Sequence, residues 1–156
     1  MSADGRRILH VNGVPCTGCL SCMSACPAHP PLFRVELDVF GGRHGHVWCR
    51  QCDDARCSAA CPAGAIARDG GTGAWVLDGT LCTGCGACVE ACPFSAVIAN
   101  PAGPPSKCDL CGGSPRCAAA CHFGAILFLQ PGDPRRRSAG MPPEEQDPGL
   151  GRGIRP

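Results

Sequence analysis

The chain has 156 residues and a formal net charge of +1, so it carries no basic surface of the kind that binds nucleic acid. With five Phe, two Trp and no Tyr against 22 Gly and 16 Pro, apolar side chains alone make a thin core for one domain or two very small ones. Sixteen cysteines stand out against that background.

Met1 to Arg7 is polar and charged, and no apolar stretch of signal-peptide or membrane-spanning length follows it. This predicts a reducing, cytoplasmic compartment and no membrane span. The apolar run Ile8 to Val14 predicts a short strand, after which Cys16, Cys19, Cys22 and Cys26 form a first cysteine group. Alternation at Phe33, Val35, Leu37 and Val39 predicts a second strand with polar residues facing out, broken by Gly41, Gly42 and Gly45. Trp48 to Ala99 is compact: Cys49, Cys52, Cys57 and Cys61, the string CPAGAIA, a strand AWVLD, then Cys82, Cys85, Cys88 and Cys92 running into CPFSAVIA. The last group, Cys108, Cys111, Cys117 and Cys121, ends in CHFGAILFL. Each copy predicts a short helical turn entering a short strand. Beyond Leu129 the chain is rich in Pro, Gly and charge, which predicts a tail without a core of its own. Arg135, Arg136 and Arg137 in that tail offer positive charge to an acidic partner surface.

Sixteen thiolates in four complete groups predict four [4Fe–4S] clusters, because each iron of a cubane takes three sulfides and one protein thiolate. The first and third groups read C-x2-C-x2-C-x3-C-P, in which three cysteines wrap one cluster and the fourth reaches a neighbour. Structural zinc sites use separated C-x2-C pairs, often with histidine, and have no use for a third cysteine at the same short interval. Disulfides belong to oxidising compartments. Oxidised cubanes each add a charge of −2 with their thiolates, which takes the loaded chain from +1 to about −7. Gly18, Gly84 and Gly86 lie between ligands, where the backbone approaches a cluster closely. Pro27, Pro62 and Pro93 follow fourth cysteines. No histidine is required as a ligand, and His10, His29, His44, His46 and His122 read first as packed or solvated residues. Linear spacing leaves open which groups exchange their fourth cysteine.

The strings CRQCDDARCSAACPAGAI, CTGCGACVEACPFSAV and KCDLCGGSPRCAAACHFGAI resemble the four-cluster ferredoxin-like electron-transfer subunits of dimethyl-sulfoxide reductases, formate dehydrogenases, hydrogenases, carbon monoxide dehydrogenases and tungsten aldehyde oxidoreductases. The small subunits of the last group are the nearest in compactness and in KCDLCGGSPRC. The resemblance covers roughly residues 6 to 130 and implies an α+β fold of two two-cluster units, the second inserted into the first. Residues 1–43 and 101–130 would form the outer unit, 44–100 the inner unit and 131–156 the tail. Four ligand sets are implied: set a, Cys16, Cys19, Cys22 and Cys121; set b, Cys108, Cys111, Cys117 and Cys26; set c, Cys82, Cys85, Cys88 and Cys61; and set d, Cys49, Cys52, Cys57 and Cys92. PAHPPLF after Cys26, His122 in place of a proline after Cys121, and only five residues between Cys111 and Cys117 depart from the family pattern.

Nothing in the chain predicts catalysis: the cysteines are consumed as ligands, and there is no phosphate-binding glycine fingerprint or acid/base constellation. The resemblance implies a non-catalytic relay between a catalytic subunit, a tungsten or molybdenum pterin aldehyde oxidoreductase first among the choices, and a flavin subunit or soluble ferredoxin. A hydrogenase, carbon monoxide dehydrogenase or formate dehydrogenase is the alternative partner, and a zinc-binding or redox-sensing structural protein is the competing class. Head-to-tail self-association would lengthen the conducting path.

Overall fold

The computed structural model describes residues 7–38, 40, 44–130 and 133. Val39, Gly41, Gly42 and the tail, Arg135 to Arg137 included, lie outside the described residues apart from Asp133.

Helices and strands alternate in a mixed α+β chain of very short elements. They are β1 (Ile8–Val11), α1 (Ser21–Ser24), β2 (Arg34–Glu36), β3 (Gly45–Val47), α2 (Arg56–Ala59), β4 (Ile66–Arg68), β5 (Trp75–Leu77), α3 (Ala87–Glu90), β6 (Val97–Ile98), β7 (Ser106–Lys107), α4 (Arg116–Ala119) and β8 (Ile126–Leu129), with a 3₁₀ turn at Leu110–Gly113 before α4. The four helices share one plan. The third cysteine of each group, Cys22, Cys57, Cys88 or Cys117, is the second residue of its helix, and the fourth follows the C-cap. The fourth cysteine's N–H still donates to the last turn, as from Cys26 to the Met23 carbonyl at 3.2 Å and from Cys61 to the Ser58 carbonyl at 3.1 Å. A single helical turn is therefore the link that sets the last two thiols of each group.

Strands follow at a constant interval. Ile66, Val97 and Ile126 open β4, β6 and β8 five residues after Cys61, Cys92 and Cys121. After Cys26 the PAHPPLF segment delays β2 to Arg34, which is the structural consequence of that departure in sequence. Expected strands are shortened where side chains turn the backbone. The first ends at Val11 because the Val14 N–H donates to Asn12 Oδ1 at 3.1 Å and the Cys16 N–H to the Gly13 carbonyl at 3.1 Å, closing a turn instead of a ladder. Gly45, read as a breaker, opens β3 opposite Glu36; a Cβ there would lie 3.1 Å from Glu36 Oε2.

Every sheet is an antiparallel two-stranded ribbon: β1 with β8, β2 with β3, β4 with β5, and β6 with β7. Such ribbons are marginal alone. They are held by packing, with Leu9, Phe33, Val35, Trp48, Ala74, Leu110 and Ile126 in one cluster that includes Cys22 and Cys117. A second cluster joins Ile66 and Val97 to Cys88. Cysteine ligands are thus part of the core. Helix α1 packs against α4, and α2 against α3. No helix among the described residues is long and apolar enough to cross a membrane.

Candidate metal centre

Left-handed backbone sets the loops between ligands. Leu20 (φ 60°), Ala55 (φ 34°) and Gly86 (φ 77°) precede α1, α2 and α3, while α4 begins from extended backbone at Pro115. For Leu20 and Ala55 this costs about 1–2 kcal/mol each. Strain of this kind persists where surrounding structure over-determines it, as at binding sites.

The folded chain brings cysteines from distant groups together. One cavity is lined by Cys16, Cys19, Cys22 and Cys121, with Phe33, Val35 and His46 in its wall. A second cavity, of about 370 Å³, is lined by Cys26, Cys108, Cys111 and Cys117, with Cys49, Trp48 and Lys107 at its side. A third is lined by Cys52, Cys57 and Cys92 beside Phe94. Burial raises the Cys88 thiol, with the charges of Cys57, Cys61 and Cys82 adding to the effect.

Burial dominates the electrostatics. It pushes the Cys52 thiol up to about 11, with Cys49, Asp54, Cys92 and Cys57 adding to the effect, and the Cys117 thiol up to about 12, with Cys111, Cys26 and Cys22 adding. Cys108 and Cys57 are raised for the same reason, Cys49 contributing at both, and Lys107 opposes the shift at each. Cys19 goes the other way, because the hydroxyl and backbone of Ser21 donate to it at the surface. Thiols crowded in this way ionise together only around a centre of strong positive charge.

Donors also point at the thiol sulfurs and into the cavities. Backbone N–H groups aim at fourth cysteines: Ala65 at Cys61 Sγ (3.3 Å), Ala96 at Cys92 Sγ (3.4 Å) and, across the longer loop, Leu32 at Cys26 Sγ (3.4 Å). His46 Nε2 and Trp48 Nε1 are buried without a protein partner, and their side chains line the first and second cavities. An iron–sulfur core offers the sulfur acceptors such donors need. Among the described residues, no three His, Cys, Asp or Glu side chains form a group that could hold a single metal ion. Thiols spread around a cavity fit a cluster, and the residues present fit [4Fe–4S].

Sequence reasoning named the thiols and missed the polar groups between them. Gln51, 1% exposed, accepts the Trp75 N–H on Oε1 at 2.7 Å and donates from Nε2 to the Cys108 carbonyl at 2.9 Å. Trp75 Nε1 donates to the Cys52 carbonyl at 2.9 Å. Lys107 lies buried beside them. The only signal for Lys107 and Gln51 was adjacency to cysteine, within KCDLC and CRQC. His46 is half-buried and edge-on to Phe33, with ring centroids 6.2 Å apart.

Thiol cages wrapped by one-turn helices and two-stranded ribbons define an iron–sulfur protein of ferredoxin type. Residues 46–130 match the family model of the 4Fe-4S dicluster domain and residues 15–29 that of the 4Fe-4S binding domain, and the chain belongs to the 4Fe-4S dicluster family. It is similar to a tetrathionate reductase subunit of Archaeoglobus fulgidus, 39% identical over 117 residues covering 69% of this chain and 56% of that protein. It is similar to the polyferredoxin-like subunit of the aliphatic sulfonate oxidoreductase of Pyrococcus furiosus, 40% identical over 104 residues, 61% of this chain and 60% of the relative. It is also similar to the electron transport protein HydN of Escherichia coli, 34% identical over 104 residues, 58% of each chain. The chain thus spans somewhat more than half the length of these relatives.

Proposed function

We propose that this chain is a non-catalytic relay that carries four [4Fe–4S] clusters and passes single electrons between the catalytic subunit of an oxidoreductase and a second redox carrier. The observation that carries this reading is the meeting of fourth cysteines with the thiols of distant groups: Cys121 beside Cys16, Cys19 and Cys22, and Cys26 beside Cys108, Cys111 and Cys117. Cys92 beside Cys52 and Cys57 follows the same rule. These contacts favour ligand sets a, b and d, and Cys61, Cys82, Cys85 and Cys88 are the four thiols left for set c.

The order of the sets follows from which elements pack together. Cys22 of set a shares a core cluster with Cys117 of set b, Cys49 of set d lines the cavity of set b, and α2, which carries Cys57 of set d, packs on α3, which carries Cys88 of set c. The relay then runs a–b–d–c. Exposed Cys19 and exposed Cys85 fall in the two end sets, where electrons would enter and leave. When bound, each cluster supplies a one-electron couple. The chain holds the thiolates, excludes water with Phe33, Trp48 and Leu110, and directs N–H groups at sulfur.

Packing of α1 on α4 and of β1 on β8 favours an outer unit of 1–43 and 101–130 around sets a and b. Packing of α2 on α3 and of β4 on β5 favours an inserted unit, 44–100, around sets c and d. Relatives named as subunits of a tetrathionate reductase and an aliphatic sulfonate oxidoreductase favour an oxidoreductase subunit as partner. Compactness and KCDLCGGSPRC favour a tungsten or molybdenum pterin enzyme in the cytoplasm, with a flavin subunit or soluble ferredoxin as the second carrier.

The test is anaerobic purification of the full chain, with about sixteen irons and sixteen sulfides expected from cubane stoichiometry. Cys121→Ser should alter the signal of the cluster held by Cys16, Cys19 and Cys22. An altered signal from the set of Cys108, Cys111 and Cys117 instead would refute the interleaved ligation, and substrate turnover by this chain alone would refute the relay.

A further inference from the structure

Lys107 closes β7 and is 9% exposed, a burial that lysine tolerates only with partners. Its Nζ donates to the carbonyl of Trp75, to the carbonyl of Cys108 at 3.4 Å and to Cys49 Sγ at 3.5 Å. An ammonium has three N–H donors and no acceptor. Three acceptors are the complement of the charged form.

The neighbours hold this geometry from two sides. Strand β5 packs against β7, which brings the Trp75 carbonyl to Nζ. Gln51 ties the same two residues, accepting from the Trp75 N–H and donating to the Cys108 carbonyl. Lysine and glutamine together fasten Trp75 to Cys108, and the charge is thereby fixed between Cys49 and Cys108. Those cysteines belong to different sets, d and b, the two central sets of the relay. A neutral donor would satisfy the two carbonyls equally; only a cation acts on both flanking cages.

Resting on the four-cluster reading, we propose that Lys107 is the residue that poises the two central clusters, its fixed buried charge raising the reduction potentials at sets b and d and leaving sets a and c nearly unchanged. Adding an electron makes an already anionic cluster more negative, and a nearby cation in a water-poor site stabilises that state more than the oxidised one. No atom of set a or set c is among the hydrogen-bond partners of Nζ. Electrons are thus favoured in the middle of the path, so that either end can be filled or emptied without stranding charge at the other.

The test is a reductive titration of the full-length, anaerobically assembled chain with dithionite, one electron per cluster, followed by low-temperature paramagnetic resonance. Cys19→Ser and Cys85→Ser identify the signals of the two end sets. In Lys107→Gln and Lys107→Met the two central signals should move to lower potential by at least tenfold in the reduction equilibrium, about 59 mV for a one-electron couple. The end signals should stay in place, and Lys107→Arg should keep the wild-type order. Unchanged potentials in a Lys107→Gln protein with full iron content would overturn the inference while leaving the relay intact. So would equal shifts of all four signals, or loss of iron in both neutral variants, since either outcome assigns Lys107 a structural role. Wild-type chain with far fewer than about sixteen irons would overturn the relay reading itself.

Discussion

Gly18 and Gly84 each stand two residues after the first cysteine of a group, and both are left-handed, at φ +69° and +72°. Their surroundings differ. A Cβ on Gly18 would lie 2.7 Å from His44 Nε2 and 2.8 Å from Leu37 Cδ2, whereas a Cβ on Gly84 meets nothing within 4 Å. Gly84→Ala should therefore cost the backbone penalty, about 1–2 kcal/mol, with no protein atom in the way. Gly18→Ala should cost about 1 kcal/mol more, because two side-chain tips must also move. Denaturant unfolding of the cluster-loaded variants measures the difference, and equal losses would show that crowding at Gly18 carries no cost. Gln51→Ala should lower stability by about 1–3 kcal/mol, since it removes the buried Gln51 amide and leaves the half-buried Trp75 N–H without its acceptor. The turn positions of these glycines were readable from their place between ligands, whereas the crowding of Gly18 by His44 and Leu37 was not. Gln51 was not, because its two partners lie 24 and 57 residues away in sequence.

At the scale of elements, β1 and β8 carry most of the long-range closure between the ends of the cysteine-bearing region, with Ile8 opposite Leu129 and Val11 opposite Ile126. Leu129 is 1% exposed and packs with Ile8 and Leu127 in a small cluster of its own. Leu129→Ala should cost about 2–5 kcal/mol. Amide exchange along Ile8–Val11 should quicken with it, and retained protection there would show that the ribbon is held by other contacts. Short helical turns entering short strands were legible because CPAGAI, CPFSAV and CHFGAI repeat the same plan. Strand lengths were less so: Asn12 and Gly13 end β1 by a side-chain and backbone turn that apolar periodicity does not register.

For the whole molecule, thin apolar packing and cysteine ligands within the core clusters make the bound metal part of the fold. Removing iron with a chelator under denaturant-free conditions should abolish most of the far-ultraviolet dichroism along with the visible absorption, and an apo-chain with unchanged dichroism would show that the ribbons stand without their centres. Sequence by itself determined the chemistry: sixteen cysteines in four groups of short spacing specify the donor atoms and their local loops, because ligands within one group are joined by only a few residues of backbone. Which thiols from distant groups meet was decided only by tertiary structure, and the order of sets proposed for the relay rests on it. That outcome depends on α1 packing on α4, α2 on α3 and β1 on β8, contacts between segments far apart in the chain. The buried ammonium of Lys107 belongs to the same level, since its charge acquires a position only when β5, β7 and the loop of Cys49 close around it.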